Sequence, residues 1–268
     1  MAYQKRLPLK NIINCRDLGG YPCPDGITEF GRFLRCAIPE APDENDIVEL
    51  LKYGVNTVID LRDEAEAQRN PSVFKFLDGV DYHHICLLEF NPAAVEAFGT
   101  DLEKSYEYSI EHHKADYKKA LEAIAEANDG CVMYHCYFGK DRTGLLSVIL
   151  LYIAGACVED IIADYQVSYT YLLPFIQKTF ADGSPWNSGE DFFKSEADVI
   201  AELISFINSK YGDINGYLKD IGISDETKAK IKRSFSDKTA YGLCFLFAQA
   251  VFFYGSTPRY FLMEYSIL

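Results

Sequence analysis

The segment HCYFGKDRTG, residues 135–144, combines residue types that can do chemistry on a bound anion. Its cysteine, Cys136, ends an apolar run, and Arg142 follows six positions later with Gly139 between the two. The apolar run predicts a strand, and the apolar residues after the arginine predict a helix. A glycine-containing loop between a strand and a helix directs main-chain N–H groups toward an anion, and the helix dipole strengthens that attraction. The segment therefore predicts an anion site with a thiol at its centre.

The thiol and the arginine together predict phosphoryl transfer to sulfur. The loop dipoles and the charges of Lys140 and Arg142 favour the thiolate of Cys136, which is the nucleophilic form. The planar guanidinium of Arg142 fits two phosphate oxygens, and the loop amides can hold the equatorial oxygens in the transition state. Thr143 can donate its hydroxyl to the sulfur as it leaves a phosphocysteine intermediate. This mechanism needs no metal and no cofactor. The predicted phosphate-binding residues are Cys136, Tyr137, Phe138, Gly139, Lys140, Asp141 and Arg142.

Other functions of such a loop stay open. The nucleotide-binding pattern G-x-x-x-x-G-K-[ST] is absent. A catalytically weak module that only recognises phosphorylated ligands would use the same anion site, although the intact cysteine, arginine and threonine favour an enzyme. Sulfur transfer would use a similar cysteine loop, but an arginine at the sixth position after the cysteine favours phosphate.

The elements around the loop predict an α/β protein with a helical C-terminal half. The predicted strands cover residues 33–36, 55–61, 81–87 and 131–135. The predicted helices cover residues 43–53, 101–128, 142–154, 159–172, 195–211, 213–218 and 224–235. Residues 1–235 are expected to form one domain. The remaining 236–268 are apolar and rich in aromatic residues, and we expect a helical extension that packs on the domain or on a partner.

Several segments resemble the bacterial tyrosine-protein-phosphatase-like family of the cysteine-dependent tyrosine and dual-specificity phosphatase superfamily. The resemblance covers about residues 11–235 and extends well beyond the loop HCxxGxxRTG. It is carried by NCRDLGGY at 14–21, GRFLRC at 31–36 with a cysteine where serine is usual, VIDLR at 58–62 followed by Glu64–Glu66, Asp164-Tyr165 with Ser168, and YL…GIS at 217–224.

The resemblance implies a phosphatase fold, a mostly parallel central sheet flanked by helices. It also implies Cys136 as nucleophile, Arg142 as phosphate clamp, and phosphotyrosine or phosphoinositide as substrate. Lys140 resembles the extra cation of phosphoinositide 3-phosphatases, which helps to bind a second phosphate.

A general acid must protonate the leaving oxygen, a contribution of roughly 10² to 10⁴ in rate. The Trp-Pro-Asp motif that often supplies this acid in the wider superfamily is absent. We favour Asp141 because it is adjacent to Arg142, and Asp60 or Asp63 near the end of a predicted strand is the alternative.

Three further polar residues are expected to support the site. His135 is expected to orient the loop by hydrogen bonding rather than to titrate in catalysis. Arg16 and Arg62 lie in apolar or glycine-rich surroundings. They are expected either near the mouth of the site or in structural pairs with aspartate.

The composition of the chain limits the classes of partner that it is expected to bind. The 268 residues carry a net charge of −14, which argues against nucleic acid as a partner and against a basic membrane-binding face. The eight cysteines include no C-x-x-C pair, which argues against a zinc knuckle. The first residues, MAYQKRLPLKNI, lack the apolar core of a signal peptide and favour a cytoplasmic location. The oligomeric state stays open, with the extension as a candidate contact surface.

Two further hypotheses concern a metal site and a disulfide. Adjacent histidines occur at His83–His84 and His112–His113, but neighbours on a strand point to opposite faces and do not predict a joint metal site. A disulfide between Cys136 and another cysteine, such as Cys131, would protect the nucleophile reversibly.

Overall fold

A computed structural model describes residues 4–39, 42–89, 96–97, 99, 101–127, 130–181 and 190–236. The strands are β1 Arg16–Asp17, β2 Pro22–Cys23, β3 Gly26–Ile27, β4 Phe33–Ala37, β5 Val55–Asp60, β6 Asp81–His84 and β7 Cys131–Cys136. The helices are α1 Glu44–Tyr53, α2 Glu64–Arg69, α3 Leu102–His112, α4 Lys114–Glu126, α5 Asp141–Ala154, α6 Val158–Ala181, α7 Ala197–Tyr211, α8 Ile214–Asp220 and α9 Asp225–Ser234. Two 3₁₀ turns cover Val73–Phe76 and Glu190–Phe193.

Five strands form the main sheet in the order β1-β4-β7-β5-β6. The β4-β7, β7-β5 and β5-β6 pairs are parallel, and only β1 runs antiparallel at the edge. All side chains of β4 and β7 are buried, as expected for strands covered on both faces. The predicted fold class, a mostly parallel central sheet flanked by helices, is confirmed.

The order of the strands places β7 in the middle of the sheet, and the chain leaves it directly into α5. All residues of α5 except Asp141 and Tyr152 are buried, so this helix is enclosed by protein on every side. Its hydrophobic side chains belong to the same core cluster as those of the neighbouring strand, including Val132 and Tyr134. The residues that join β7 to α5 are therefore held by two of the most buried elements of the chain.

Two predicted helices differ from the observed ones. The single helix predicted over 101–128 is observed as α3 and α4, because the chain turns at His113, and no glycine or proline marks this break. The helix predicted to end at residue 172 continues through Pro174 to Ala181. Leu172 and Ile176 pack on both sides of the proline in one apolar cluster, which offsets the lost main-chain hydrogen bond.

Shorter differences concern elements with little sequence pattern. The strand predicted over 81–87 ends at residue 84, and β1, α2 and the β2–β3 hairpin were not anticipated because they have two to six residues each. The predicted extension, 236–268, lies outside the described residues except for its first residue. Within the described ranges, no helix is long and apolar enough to cross a membrane.

Candidate active site

The candidate nucleophile ends the central strand. Cys136 is the last residue of β7 and is 1% exposed, and the helix α5 begins five residues later. Between them Gly139 adopts a positive φ of 66°. A Cβ at this position would lie 2.4 Å from the carbonyl carbon and oxygen of Cys36, so both its conformation and its space require glycine. The loop is thus pressed against the backbone of β4.

Two side chains hold the carbonyl groups of this loop from behind. Asn14 Nδ2 donates to the carbonyl oxygens of Phe138 and Gly139, each at 3.0 Å. Arg35 Nη2 donates to the Gly139 oxygen at 2.9 Å and to the Lys140 oxygen at 3.4 Å. The C=O and the N–H of a trans peptide unit point in opposite directions. Because these carbonyls are tied to one side, the next N–H groups face the other side, where an anion would bind.

The anchors are fixed by a buried charge cluster. Asp164 accepts hydrogen bonds from Arg16 Nε at 3.1 Å, Arg35 Nη1 at 2.5 Å and the Tyr21 hydroxyl at 2.9 Å. Burial would raise the pKa of the Asp164 carboxyl, but the two guanidinium groups prevail and hold it well below its usual range. Arg16 therefore lies beneath the loop in an Arg–Asp pair and not at the mouth of the site. It also binds Asn14, which has a positive φ of 55°.

The candidate phosphate clamp is bound by a glutamate. Arg142 contacts the Glu66 carboxylate with both terminal nitrogens, Nη1 to Oε2 and Nη2 to Oε1, the latter at 3.0 Å. Only 5% of the Arg142 side chain is exposed. Burial would raise the pKa of Glu66, but the Arg142 partner lowers it below its ordinary value. Glu66 is itself fixed by a capping box with Asp63 at the start of α2.

Asp60 is arranged as a structural carboxylate. It accepts from Arg62 Nε at 2.9 Å, Arg62 Nη2 at 2.6 Å and the Tyr82 hydroxyl at 2.8 Å, and both charged side chains are fully buried. Burial alone would raise its pKa, but His135, Arg62 and the hydrogen bonds hold the pKa well below the usual range. A carboxyl that stays ionised is a poor proton donor. These contacts weigh against Asp60 as the general acid and place Arg62 in an Arg–Asp pair.

Asp141 is the carboxyl that lies in the loop itself. The Tyr106 hydroxyl donates to its Oδ1 at 2.5 Å, and Lys140 Nζ lies 3.4 Å from the same oxygen. About a fifth of the Asp141 side chain is exposed. A bound substrate can therefore reach the Asp141 carboxyl, whereas the Asp60 side chain is fully buried. Asp63, the third candidate acid, caps α2.

Lys140 is almost completely buried. Its Nζ donates to the carbonyl oxygens of Phe192 at 2.6 Å and Lys194 at 3.1 Å, so it binds the segment that precedes α7. Tyr137 and Phe138 point away from the loop. Phe138 packs in an apolar cluster with Leu172 and Phe193, and Tyr137 lies beside it.

Two buried polar atoms have no hydrogen-bond partner in the described part of the chain, Thr143 Oγ1 and His135 Nε2. The Thr143 hydroxyl is thus not committed to another group among the described residues. His135 Nδ1 lies 3.4 Å from the Cys136 carbonyl oxygen. Burial lowers the pKa of His135, although the nearby Asp60 carboxylate opposes this shift, so the ring is neutral at pH 7. Its role in orienting the loop stays a prediction.

The geometry excludes one proposed disulfide. Cys131 and Cys136 are the first and last residues of β7, which separates them by about 16 Å. A disulfide needs Cα atoms within about 7 Å. Among the described residues, no group of three or more His, Cys, Asp or Glu side chains is arranged to hold a metal ion.

Five residues of the site were not assigned a role from the sequence: Asn14, Arg35, Glu66, Tyr106 and Asp164. Four of them lie in or beside segments that carry the family resemblance, which is the signal that could have indicated them. Tyr106 lies in a polar helix and had no such signal.

Comparison with known proteins gives matches over most of the chain. A model described as the tyrosine phosphatase family matches residues 7–237. A tyrosine-protein phosphatase from Nostoc commune is 29% identical over 215 residues, which cover 75% of this chain and 72% of the relative. The triple specificity protein phosphatase PtpB of Mycobacterium tuberculosis is 25% identical over 253 residues, which cover 75% of this chain and 90% of the relative.

Proposed function

Because the chain belongs to the tyrosine phosphatase family, we propose that it hydrolyses phosphotyrosine in proteins through a phosphocysteine intermediate on Cys136. One observation carries this proposal. The loop after β7 has its carbonyls tied from behind by Asn14 and Arg35, which leaves main-chain N–H groups for an anion around a buried cysteine. Such a cradle fits the charge that spreads over the phosphoryl oxygens in the transition state.

The proposed reaction has two steps. In the first, Cys136 Sγ attacks phosphorus in line as the bond to the tyrosine oxygen breaks, and Asp141 gives its proton to that oxygen. In the second, Asp141 takes a proton from water, whose oxygen attacks phosphorus as the bond to sulfur breaks. The Thr143 hydroxyl, which has no hydrogen-bond partner among the described residues, donates to the departing thiolate. Arg142 binds the phosphoryl oxygens throughout, held in place by Glu66.

The position of Lys140 favours phosphotyrosine over a substrate with a second phosphate. Lys140 is 1% exposed, and its ammonium group donates to the carbonyls of Phe192 and Lys194. To bind a second phosphate, it would have to give up these hydrogen bonds. The proposed role of Lys140 is therefore to secure the segment before α7 rather than to recognise a phosphoinositide headgroup.

Phosphate release tests the proposal directly. Wild type and Cys136→Ser are compared between pH 5 and 7, with EDTA, on phosphotyrosine peptides and on phosphoinositide vesicles. Cys131→Ser is the matched control, because it removes a buried thiol at the far end of the same strand. We expect EDTA-resistant release on the peptides from wild type and Cys131→Ser, and none from Cys136→Ser.

Other results would change the function. Faster release from phosphoinositides than from peptides would overturn the substrate assignment. A wild type as inactive as Cys136→Ser on both panels, yet able to bind a phosphotyrosine peptide, would indicate a recognition module instead of an enzyme.

A further inference from the structure

Three hydroxyl and carboxyl groups form a chain beside the nucleophile. Tyr106 has one hydroxyl hydrogen and donates it to Asp141 Oδ1 at 2.5 Å. The Tyr165 hydroxyl lies 2.8 Å from the Tyr106 oxygen. Because the Tyr106 hydrogen is already used, Tyr165 must be the donor in this second bond. The direction of the chain is thus fixed, from Tyr165 to Tyr106 to the carboxyl group.

Both tyrosines are locked in place. Tyr106 and Tyr165 are 0% and 1% exposed, and their rings pack edge to face at 6.2 Å between centroids. Gly144, the last residue of the segment 135–144, leaves space for Tyr165, since a Cβ at position 144 would lie 3.0 Å from Tyr165 Cδ2. Burial, followed by the nearby Asp141 charge, raises the pKa of Tyr106 well above its ordinary value. Tyr106 therefore keeps its hydroxyl hydrogen at neutral pH and can donate it.

The contacts distinguish the two oxygens of Asp141. Tyr106 and Lys140 both approach Oδ1. No side chain in the described part of the protein donates a hydrogen bond to Oδ2. A proton placed on Oδ1 would compete with the donor hydrogen of Tyr106, whereas Oδ2 can carry it without such a conflict.

We propose that Tyr106 is a positioning residue for the general acid, which turns Asp141 so that Oδ2 carries the proton transferred to the leaving oxygen. This inference rests on the proposed role of Asp141 and adds the atom and the residue that orients it. As phosphorus binds sulfur and releases the phenol oxygen, the Oδ2 proton goes to that oxygen. The negative charge left on Asp141 is then stabilised at Oδ1 by the Tyr106 hydroxyl and by Lys140.

The groups that face this carboxyl come from three elements. They are Tyr106 from α3, Tyr165 from α6 and Lys140 from the loop itself. Glu196, just before α7, acts electrostatically on Tyr165. Of the two groups that contact the carboxyl directly, Tyr106 and Lys140, only Tyr106 can be altered without changing the charge of the site.

The test varies the leaving group, because a general acid matters most when the departing oxygen is a poor anion. Tyr106→Phe, Tyr165→Phe and Asp141→Asn are compared with wild type on a phosphotyrosine peptide and on para-nitrophenyl phosphate. For Tyr106→Phe we expect kcat/KM, which reports the steps up to departure of the phenol, to fall about ten- to hundredfold on the peptide, the range of a hydrogen bond to a charged group, and far less on the nitrophenyl ester. Tyr165→Phe is the matched control and should change either value by less than about threefold, since it leaves the bond to Asp141 in place.

The pH profile gives a second readout. The acid must be protonated to act, so activity falls on the alkaline side. Removing the Tyr106 donor makes the ionised carboxylate less stable and should move the alkaline limb of kcat to higher pH. A ring-fluorinated tyrosine at position 106 is a stronger donor and should move it to lower pH. Binding of orthovanadate, which needs no proton transfer, verifies that each variant retains its site.

The outcomes separate the two proposals. Equal losses on both substrates for Tyr106→Phe, or an unmoved alkaline limb in both position-106 variants, would refute the positioning role. If Asp141→Asn itself shows no dependence on the leaving group, the assignment of the acid is wrong, and the positioning role falls with it. The phosphocysteine mechanism would stand in either case if Cys136→Ser is inactive.

Discussion

Replacing Glu66 by glutamine tests whether the phosphate clamp must be held before the substrate arrives. Glu66 binds both terminal nitrogens of Arg142 and also completes the capping box of α2. Glutamine can still serve the capping box, because its carbonyl accepts the same main-chain hydrogen bond. Stability should therefore change little. The substitution removes the carboxylate that binds Arg142, whose side chain is 5% exposed.

The size of the effect follows from the two hydrogen bonds. A hydrogen bond to a charged group contributes about 1.5–3 kcal/mol, and a glutamine can keep at most one acceptor toward Arg142. Loss of one such bond corresponds to a fall of about ten- to a hundredfold in kcat/KM, at 1.36 kcal/mol per tenfold change. We expect most of it in kcat, because Arg142 is needed most as charge builds on the phosphoryl oxygens. Steady-state kinetics on a phosphotyrosine peptide measure both values.

Glu64→Gln is the matched control. Glu64 lies two residues earlier in the same helix, 69% of its side chain is exposed, and it contacts His84 rather than the clamp. It removes the same charge from the same region and should change kcat/KM by less than about twofold, as expected of an exposed ion pair. If Glu66→Gln were as active as Glu64→Gln while both remained folded, Arg142 would not depend on Glu66 for its orientation.

Two further outcomes follow from the loop. Gly139→Ala should lower the free energy of unfolding in urea by at least about 1–2 kcal/mol and abolish nearly all activity. The reason is that φ at this position is 66° and the new Cβ would lie 2.4 Å from the Cys36 carbonyl. Wild-type activity in this variant would contradict the loop conformation. His135 should make stability depend on pH. Its folded pKa is lowered by burial, so below about pH 6.5 the unfolded chain binds a proton that the folded chain does not, and stability should fall with pH by up to about 1.4 kcal/mol per unit. His135→Gln should flatten this slope, and an identical slope in both proteins would show that another group causes it.

The sequence indicated the centre of the site because its chemistry is local. Cys136, Gly139 and Arg142 lie within seven consecutive residues, and a strand, a loop and a helix N-terminus are recognisable from hydrophobic pattern alone. The parallel sheet followed from strands that alternate with helices, and it is confirmed. Helix ends were less predictable. A proline such as Pro174 usually ends a helix, but here α6 continues past it because apolar side chains on both sides of the proline are packed.

The residues that support the loop could not be predicted from a local sequence pattern. Asn14 is 124 positions from Phe138 along the chain, and Arg35 is 129 from Asp164, so only the folded sheet brings them together. The Asp60–Arg62 pair was within reach of sequence reasoning, since residues two apart at the end of a strand share a face. Tyr106 offered no pattern, because a tyrosine in a polar helix differs in nothing from a packing residue until its hydroxyl partner is known.

An acidic protein can hold a phosphate group because the charges that matter are close to it and buried. The chain has a net charge of −14. Behind the loop, however, two arginines share one aspartate, so one positive charge is in excess there. The Arg35 guanidinium acts on the loop directly, since it donates to the Gly139 and Lys140 carbonyls and so polarises the peptide groups of the proposed anion site. Exposed charges are screened over about 8 Å at physiological ionic strength, whereas a buried cation is screened much less. The local excess therefore outweighs the distant acidic surface, and the Asp164 carboxylate, by pairing with both arginines, keeps that excess stable without cancelling it.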